Sequence, residues 1–408
     1  MAETVDVAII GGGIAAACLA YHLAMLGVRD VLVLETSAVA SGASGRASGL
    51  LTFLAGCHPT QASLLRYSAD FYHRWPDLVG GAAALTPVGA LLLLAEAQRG
   101  PATREVALME AAGHDATLLG RGELEALLPD WDLAGVDLAA YSPGSGYIDP
   151  PMATTALINR ARSLGVRVYQ GARVTGIRIA AGRVAGVTST RGEIRTETVV
   201  IAAGAWSAQV GRLAGLPIPV EPAWHPVAHL VPPADLATSI PCCSDPQHNI
   251  YVRPEPSGLL AIGAMREEPG FPPQPPASVE GFDPAAPGWL GPWARERLAR
   301  RIPSLAASEV AGGHAGVYAV TPDRYPLLGP FEAMHGLYAI VDGAGNGMTS
   351  GPGLGRALAE TIVEGRAWID TSLYDPDRFA RGTPNCPAYH HAGAELAVAL
   401  LDAYTVGA

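Results

Sequence analysis

Two glycine-rich stretches and a few polar side chains stand where residue type and spacing could do chemistry. Near the N-terminus, VDVAIIGGGIAAA places Gly11, Gly13 and Ala16 in the spacing G-x-G-x-x-A, and Glu35 closes the next apolar run, VLVLE. The first glycine permits a tight turn, and the second lets a pyrophosphate approach the amides at a helix start. The small third residue lets that helix pack on its strand. Glu35 stands where a carboxylate can accept both ribose hydroxyls, and an acid there disfavours a 2′-phosphate, so NADP is excluded and NAD or FAD remain. The loop that follows, TSAVASGASGRASGLL, is built of small residues and carries Ser41, Ser44, Arg46 and Ser48. An NAD domain would continue into another regular βα unit, so this loop points to backbone wrapped round more of a ligand. More than 300 residues later, GLYAIVDGAGNGMTSGPGLGRALAE repeats the same grammar of apolar run, glycine turn and helix. Two such turns predict one ligand pinned from both ends of the chain.

Composition removes several alternatives. All 27 basic residues are arginine. With no lysine, Schiff-base chemistry, pyridoxal-phosphate attachment and the phosphate-gripping lysine of nucleotide-triphosphate sites are excluded. A net charge of −11 argues against a nucleic-acid binder. The five cysteines (Cys18, Cys57, Cys242, Cys243 and Cys386) are too scattered for a disulfide framework or a CxxC metal site. His390 and His391 are adjacent and share no helix face, so they read as surface and no metal is expected. The start lacks a basic n-region and carries Glu3 and Asp6, and glycines and His22 interrupt the apolar run 6–27. Neither a signal peptide nor a membrane span is therefore expected, and the reading is cytoplasmic. No second nicotinamide fingerprint and no GxSxG elbow is present.

The elements that must position these residues follow from periodicity. VDVAII and DVLVLE read as buried strands flanking a helix that stops at Gly27. Residues 61–79 read as an amphipathic helix, LTPVGALLLLAEA as a strand or hairpin, and RGELEALLPDW as a short helix. YSPGSGYIDP reads as a boundary. A helix and a β-meander over 152–207 lead to the apolar strand TVVIAAG. A β-rich block over 216–268 includes a hairpin turning at 256–258, and the proline-rich segment 269–292 reads as a surface loop or lid. The fold class is α/β, with a Rossmann-like dinucleotide-binding domain and an interleaved β-sheet substrate domain. The expected division places 1–85, 145–215 and 310–385 in the first, 86–144 and 216–309 in the second, and 386–408 in a C-terminal tail.

With these motifs in view, the chain resembles the FAD-dependent D-amino-acid-oxidase superfamily, in its sarcosine oxidase, dimethylglycine dehydrogenase and glycine oxidase branch. The likeness runs over about residues 5–366 and rests on VAIIGGGIAAA, VLVLE, SGASGRASGLL, GYIDP, VVIAAGAWS, YVRPEPSGLLAIGA, AGVYAVTPDRYPLLG and GNGMTSGPGLGRALAE. It implies the two-part fold of those enzymes, with FAD held by Gly11, Gly13, Ile14, Ala15, Glu35, Ser41, Ser44, Arg46, Ala47, Ser48, Val174, Gly204 and Trp206. The turn Gly343, Gly345, Asn346, Gly347, Met348 and Thr349 would face the flavin's pyrimidine edge.

Departures from the family bear on the chemistry. The position of a flavin-tethering histidine reads Arg46, and that of a tethering cysteine reads Gly316, so FAD is expected to be non-covalent. The oxygen-activating lysine of some relatives has no counterpart. Two carboxylate-gripping positions read Thr349 and Tyr318. The substrate is then either an amino acid held by Arg46, Arg253, Arg266 or Arg324, or an amine without a free α-carboxylate. Arg46, Tyr251, Tyr318, Thr349 and His58 are the candidate catalytic residues, with His225 a candidate polar neighbour of the flavin. The implied reaction is hydride transfer from the carbon beside an unprotonated amine to flavin N5, followed by hydrolysis of the imine, with O₂ as acceptor. The alternatives are a dehydrogenase using another acceptor, and a flavin-binding subunit of a hetero-oligomer.

Overall fold

A computed structural model of the chain describes residues 3–54, 58–234, 236, 240–265 and 281–385. Arg266, Cys57, Cys386, His390, His391 and residues 269–280 of the proline-rich segment lie outside the described residues.

The architecture is two large sheets, with helices packed on them, and a two-stranded pair formed by Leu50–Leu51 and Gly146–Tyr147; the first large sheet carries the helices that open at the glycine turns. Its centre is parallel: Val7–Ile10 lies between Val31–Leu34 and Val199–Ile201, and Met334–Val341 adds beyond Val199–Ile201. The strands Val7–Ile10 and Val31–Leu34 are buried along their whole length, as a sheet covered on both faces requires. The chain thus returns after some 300 residues to lie one strand away from where it began. Both glycine turns consequently open at the carboxyl edge of the same sheet, where open α/β sheets bind their ligands.

The second sheet runs in the order Val310–Val320, Glu221–Leu230, Leu260–Ala264, Ile250–Pro254, Cys242–Asp245, Ala90–Leu94, Leu138–Ser142, Thr117–Gly120. The hairpin expected at 256–258 joins Ile250–Pro254 to Leu260–Ala264. Pairing with Glu221–Leu230 makes Val310–Val320 a member of this sheet, although the sequence grouping set 310–320 with the cofactor-binding segments. A helix not anticipated from sequence spans Arg99–Ala111. Its Gly100-Pro101 start reads as a turn, yet proline is tolerated in a first turn, where its missing N–H would have had no intrahelical partner.

The C-terminal helix Gly347–Glu364 packs on Ile14–Met25 through small residues: a Cβ added to Gly355 would lie 2.6 Å from Cys18 Cβ. It also contains Pro352, which cannot donate to the carbonyl of Met348 one turn earlier. That carbonyl instead accepts from the Tyr72 hydroxyl at 2.6 Å, and Gly353 N donates to Ser68 Oγ at 3.1 Å. Both partners lie on the helix Pro59–His73, which therefore completes the bonding of the turn that opens the C-terminal helix.

His22, buried on Ile14–Met25, meets the Cys18 carbonyl through Nδ1 and the Tyr67 hydroxyl through Nε2. Burial lowers its pKa from 6.5 to about 4. The unfolded chain then binds a proton that the folded chain refuses. Above pH 6.5 the group contributes nothing, and below it stability declines until the fall saturates near pH 4. Tyr72→Phe, which leaves the Met348 carbonyl unsatisfied, is expected to lower the free energy of unfolding by about 1–3 kcal/mol in urea titrations. The same titrations from pH 7 to pH 4 should show stability falling, less steeply in His22→Gln; equal slopes would contradict the assignment.

Candidate functional site

The first turn is built around the Gly13 end of the helix Ile14–Met25. Gly11 takes φ +116°, a backbone open to glycine, and its N–H bonds the Leu34 carbonyl at 2.9 Å. No side chain caps this helix at Gly13 and no acid lies in its first turn. The site is therefore electropositive and open to an anion. Ser44 reaches in from the loop, its Oγ accepting from Ile14 N at 2.9 Å and lying 3.0 Å from where a Gly13 Cβ would be. Glu35 accepts from Gly12 N at 2.7 Å and from Ser37 N at 2.8 Å, which leaves lone pairs on both oxygens for ribose hydroxyls. Val174 begins a strand just after Ala172, whose N–H bonds the Glu35 carbonyl. Gly204 and Trp206 form a short 3₁₀ turn, with the Trp206 ring 3.4 Å from a Cβ added to Gly42.

The second turn joins the first. A Cβ on Gly347 would sit 3.6 Å from Ile14 Cγ2, so the two helix starts are in contact. The helix Gly347–Glu364 likewise has no side-chain cap at Asn346 and no acid in its first turn. Gly345 and Asn346 are exposed and Met348 and Thr349 buried, while Gly343 is braced by Thr321, whose backbone N–H bonds the Gly343 carbonyl at 3.1 Å. Thr321 belongs to the turn that Asp323 stabilises through a buried ion pair with Arg378 at 2.7 Å. Two glycine-rich helix starts, an acid beside each of them (Glu35 and Asp342) and a loop of small residues are parts a dinucleotide requires, and the cradle fits FAD.

On the far side of the second turn lies an aromatic cluster on the second sheet. Gly345, at φ +79°, brings the backbone against the Tyr318 ring, 3.0 Å from an added Cβ. Tyr318 meets His225 edge-on, with centroids 6.2 Å apart. His225 stacks on Tyr251 and bonds its hydroxyl through Nε2 at 2.9 Å. Burial, with a smaller contribution from His314, lowers the His225 pKa to about 4, so the imidazole is neutral at physiological pH. Burial likewise pushes the Tyr251 hydroxyl up, opposed by the Ser48 hydroxyl and by Arg253.

The other candidates lie elsewhere. His58 is the cap of the helix Pro59–His73, its Nδ1 accepting from Thr60 N at 3.2 Å. The Arg46 guanidinium donates to the Ser41 and Gly42 carbonyls of its own loop and lies over the Phe282 ring. Arg253 is buried and bonds Ser48, Pro254 and Glu255. Arg324 borders a separate small cleft with Gln61, Asp342, Asn346 and Thr349. Thr349 therefore faces that cleft, among residues that do not include Tyr251 or Tyr318. Sequence reasoning passed over Asp342, whose carboxyl burial pushes up to about 6 against the pull of the amides of Gly343 to Asn346. The signal was present, since Asp342 ends an apolar strand just before a glycine turn, much as Glu35 ends VLVLE. Among the described residues no group of three or more histidine, cysteine or acidic side chains could hold a metal, and no helix is long and apolar enough to cross a membrane.

Comparison with known proteins bears on this geometry. The profile of the family described as FAD dependent oxidoreductase matches residues 6–361. The chain is 29% identical over 379 residues to 4-methylaminobutanoate oxidase (formaldehyde-forming) of Paenarthrobacter nicotinovorans, covering 91% of this chain and 45% of that protein. It is 28% identical over 395 residues to mitochondrial dimethylglycine dehydrogenase of Rattus norvegicus, covering 94% and 45%. The chain thus spans about half the length of these relatives. The crystal structure of L-proline dehydrogenase from P. horikoshii superposes with a TM-score of 0.85 at 25% identity, covering 94% of this chain and all of the other.

Gly13→Val, whose side chain enters the space between the helix start and Ser44, is expected to fold with unchanged circular dichroism yet purify without FAD. A yellow Gly13→Val protein would contradict the placement.

Proposed function

The chain belongs to the family of FAD-dependent oxidoreductases, and on that premise we propose that it oxidises the C–N bond of an amine or amino acid, with FAD bound non-covalently. The observation that supports this reading is the cluster of Tyr318, a neutral His225 and the buried Tyr251 beside the second glycine turn. When bound, FAD supplies a two-electron acceptor for the hydride on the carbon next to nitrogen. The protein's task is then to orient the amine, exclude water and keep the nitrogen unprotonated.

In this reading Gly11, Gly13, Ile14, Ala15 and Ser44 hold the pyrophosphate, Glu35 the ribose and Val174 the adenine. Ser41, Arg46, Ala47, Ser48, Gly204 and Trp206 shape the walls, and residues 343–349 meet the pyrimidine edge. Neither Arg46 nor Gly316 offers the nucleophile that a covalent tether would need. The same desolvation that lowers His225 to about 4 also disfavours an ammonium ion placed beside it. A neutral imidazole adds no positive charge there, and with the Tyr251 hydroxyl it can accept a hydrogen bond from the amine N–H and so point its lone pair. An arginine-only chain has no lysine to attract oxygen, so the acceptor is decided by comparing turnover with O₂ and with a dye.

The test is anaerobic bleaching of the flavin by a panel of N-methyl amino acids, cyclic imino acids, D-amino acids and plain amines. At least one secondary amine should reduce it, and acid denaturation should release the flavin into solution. The reduction rate should rise with pH as the bound amine loses its proton, and a profile flat across that titration contradicts the reading. His225→Gln and Tyr251→Phe should each slow reduction about tenfold to a hundredfold, through lost orientation of the amine.

A further inference from the structure

The second sheet lays a tyrosine across one of its own strands. Leu260–Ala264 lies between Glu221–Leu230, which carries His225, and Ile250–Pro254, which carries Tyr251. Neighbouring strands are about 4.8 Å apart, so a contact between those two residues must bridge roughly 10 Å of sheet. The Tyr251 side chain makes the crossing. Its hydroxyl bonds His225 Nε2 at 2.9 Å, and the two rings stack with centroids 5.7 Å apart and planes 13° from parallel.

The middle strand leaves the way clear. Leu260 and Ile262 enter the apolar core on the other face of the sheet, together with Ile250, Val252, Ala228 and Leu230. By alternation, the face that carries Tyr251 and His225 receives only Ala261 and Gly263 from this strand. Gly263 is the register partner of Tyr251 on one side and of Val227 on the other. The three heavy atoms nearest to a Cβ added there all belong to Tyr251: the hydroxyl oxygen, Cζ and, at 2.6 Å, Cε1. The ring thus occupies the place a side chain would take. Gly263 is not among the glycines with positive φ, so its backbone conformation is open to alanine. The overlap falls at the end of the ring that makes the bond, and a methyl group at Gly263 and the bond to His225 exclude each other.

We propose that Gly263 is a positioning residue for the Tyr251–His225 pair: it clears the strand between them, and a side chain there displaces the Tyr251 ring from His225. This rests on the functional reading above for its kinetic part only, since the placement of the ring over Gly263 stands on geometry.

The experiment is a double-mutant cycle in the FAD-loaded chain. It is read by urea unfolding in excess FAD, and by anaerobic bleaching with the N-methyl amino acid that reduces the wild-type flavin fastest. Gly263→Ala should lower the urea midpoint of the wild-type chain, yet leave it unchanged or raise it in Tyr251→Ala, where no ring covers the strand. The same substitution should slow the limiting rate of bleaching about tenfold to a hundredfold in the wild-type chain, and less than about twofold in Tyr251→Ala. A midpoint that falls no more in the wild-type chain than in Tyr251→Ala overturns the proposal. So does a Gly263→Ala protein that bleaches at the wild-type rate, or one that slows Tyr251→Ala further. If Gly263→Ala does not fold, the double variant is read alone: a folded chain supports the proposal, and an unfolded one overturns it. If no amine bleaches the wild-type flavin, the functional reading fails, while the urea cycle still decides the role of Gly263.

Discussion

Two helix starts whose own N-cap residues, Gly13 and Asn346, provide no side-chain cap meet at one edge of a parallel sheet, and the rest of the molecule is arranged around that fact. The amides at Ile14 and Gly347 are donors the helices cannot satisfy themselves. Ser44 Oγ meets the Ile14 amide from the loop, neither first turn carries an acid, and contact between Gly347 and Ile14 places both dipole ends together. Such a site favours negative charge and electron-rich edges, which a dinucleotide supplies at its pyrophosphate and at its ring. The contact also requires small residues along the crossing of the two helices, which accounts for Gly351 and Gly355 against Cys18.

Holding a glycine-rich turn rigid takes support from outside the turn. Pro352 interrupts the ladder of the C-terminal helix near its start, and Tyr72 and Ser68 restore the bonds from a neighbouring helix. The Thr321–Asp323–Arg378 group braces Gly343 from the other side. A buried Arg–Asp pair is a poor source of net stability but a strong constraint on geometry, because either charge left alone is costly. Its place beneath the turn fits that second role.

The second sheet contributes polar and aromatic side chains as well as cover. It presents Tyr318, His225 and Tyr251 to the turn, and from neighbouring positions His314 and Arg253 grip the loop 41–49. The loop is therefore held by the same sheet that carries the aromatic cluster. Burial lowers His225 to about 4, so its imidazole carries no positive charge at physiological pH.

The chain's amino-acid order alone settled the dinucleotide grammar at both ends, because strand, glycine turn, helix and acid are local patterns governed by sterics and hydrogen bonding. It also settled the absence of lysine chemistry. It could not decide between Arg46, Arg253 and Arg324 as substrate contacts, since an arginine's role depends on which carbonyls and carboxylates lie around it. Folding turned Arg253 inward onto a loop some 200 residues away, left Arg46 bonded to its own loop, and set Arg324 on a separate cleft. His58 carried the same ambiguity and became a helix cap, whereas His225 gained its tyrosine partner only through pairing within the second sheet. Local spacing specifies local backbone, but the partners of a long polar side chain are chosen by contacts between segments distant in sequence, which only the tertiary structure supplies.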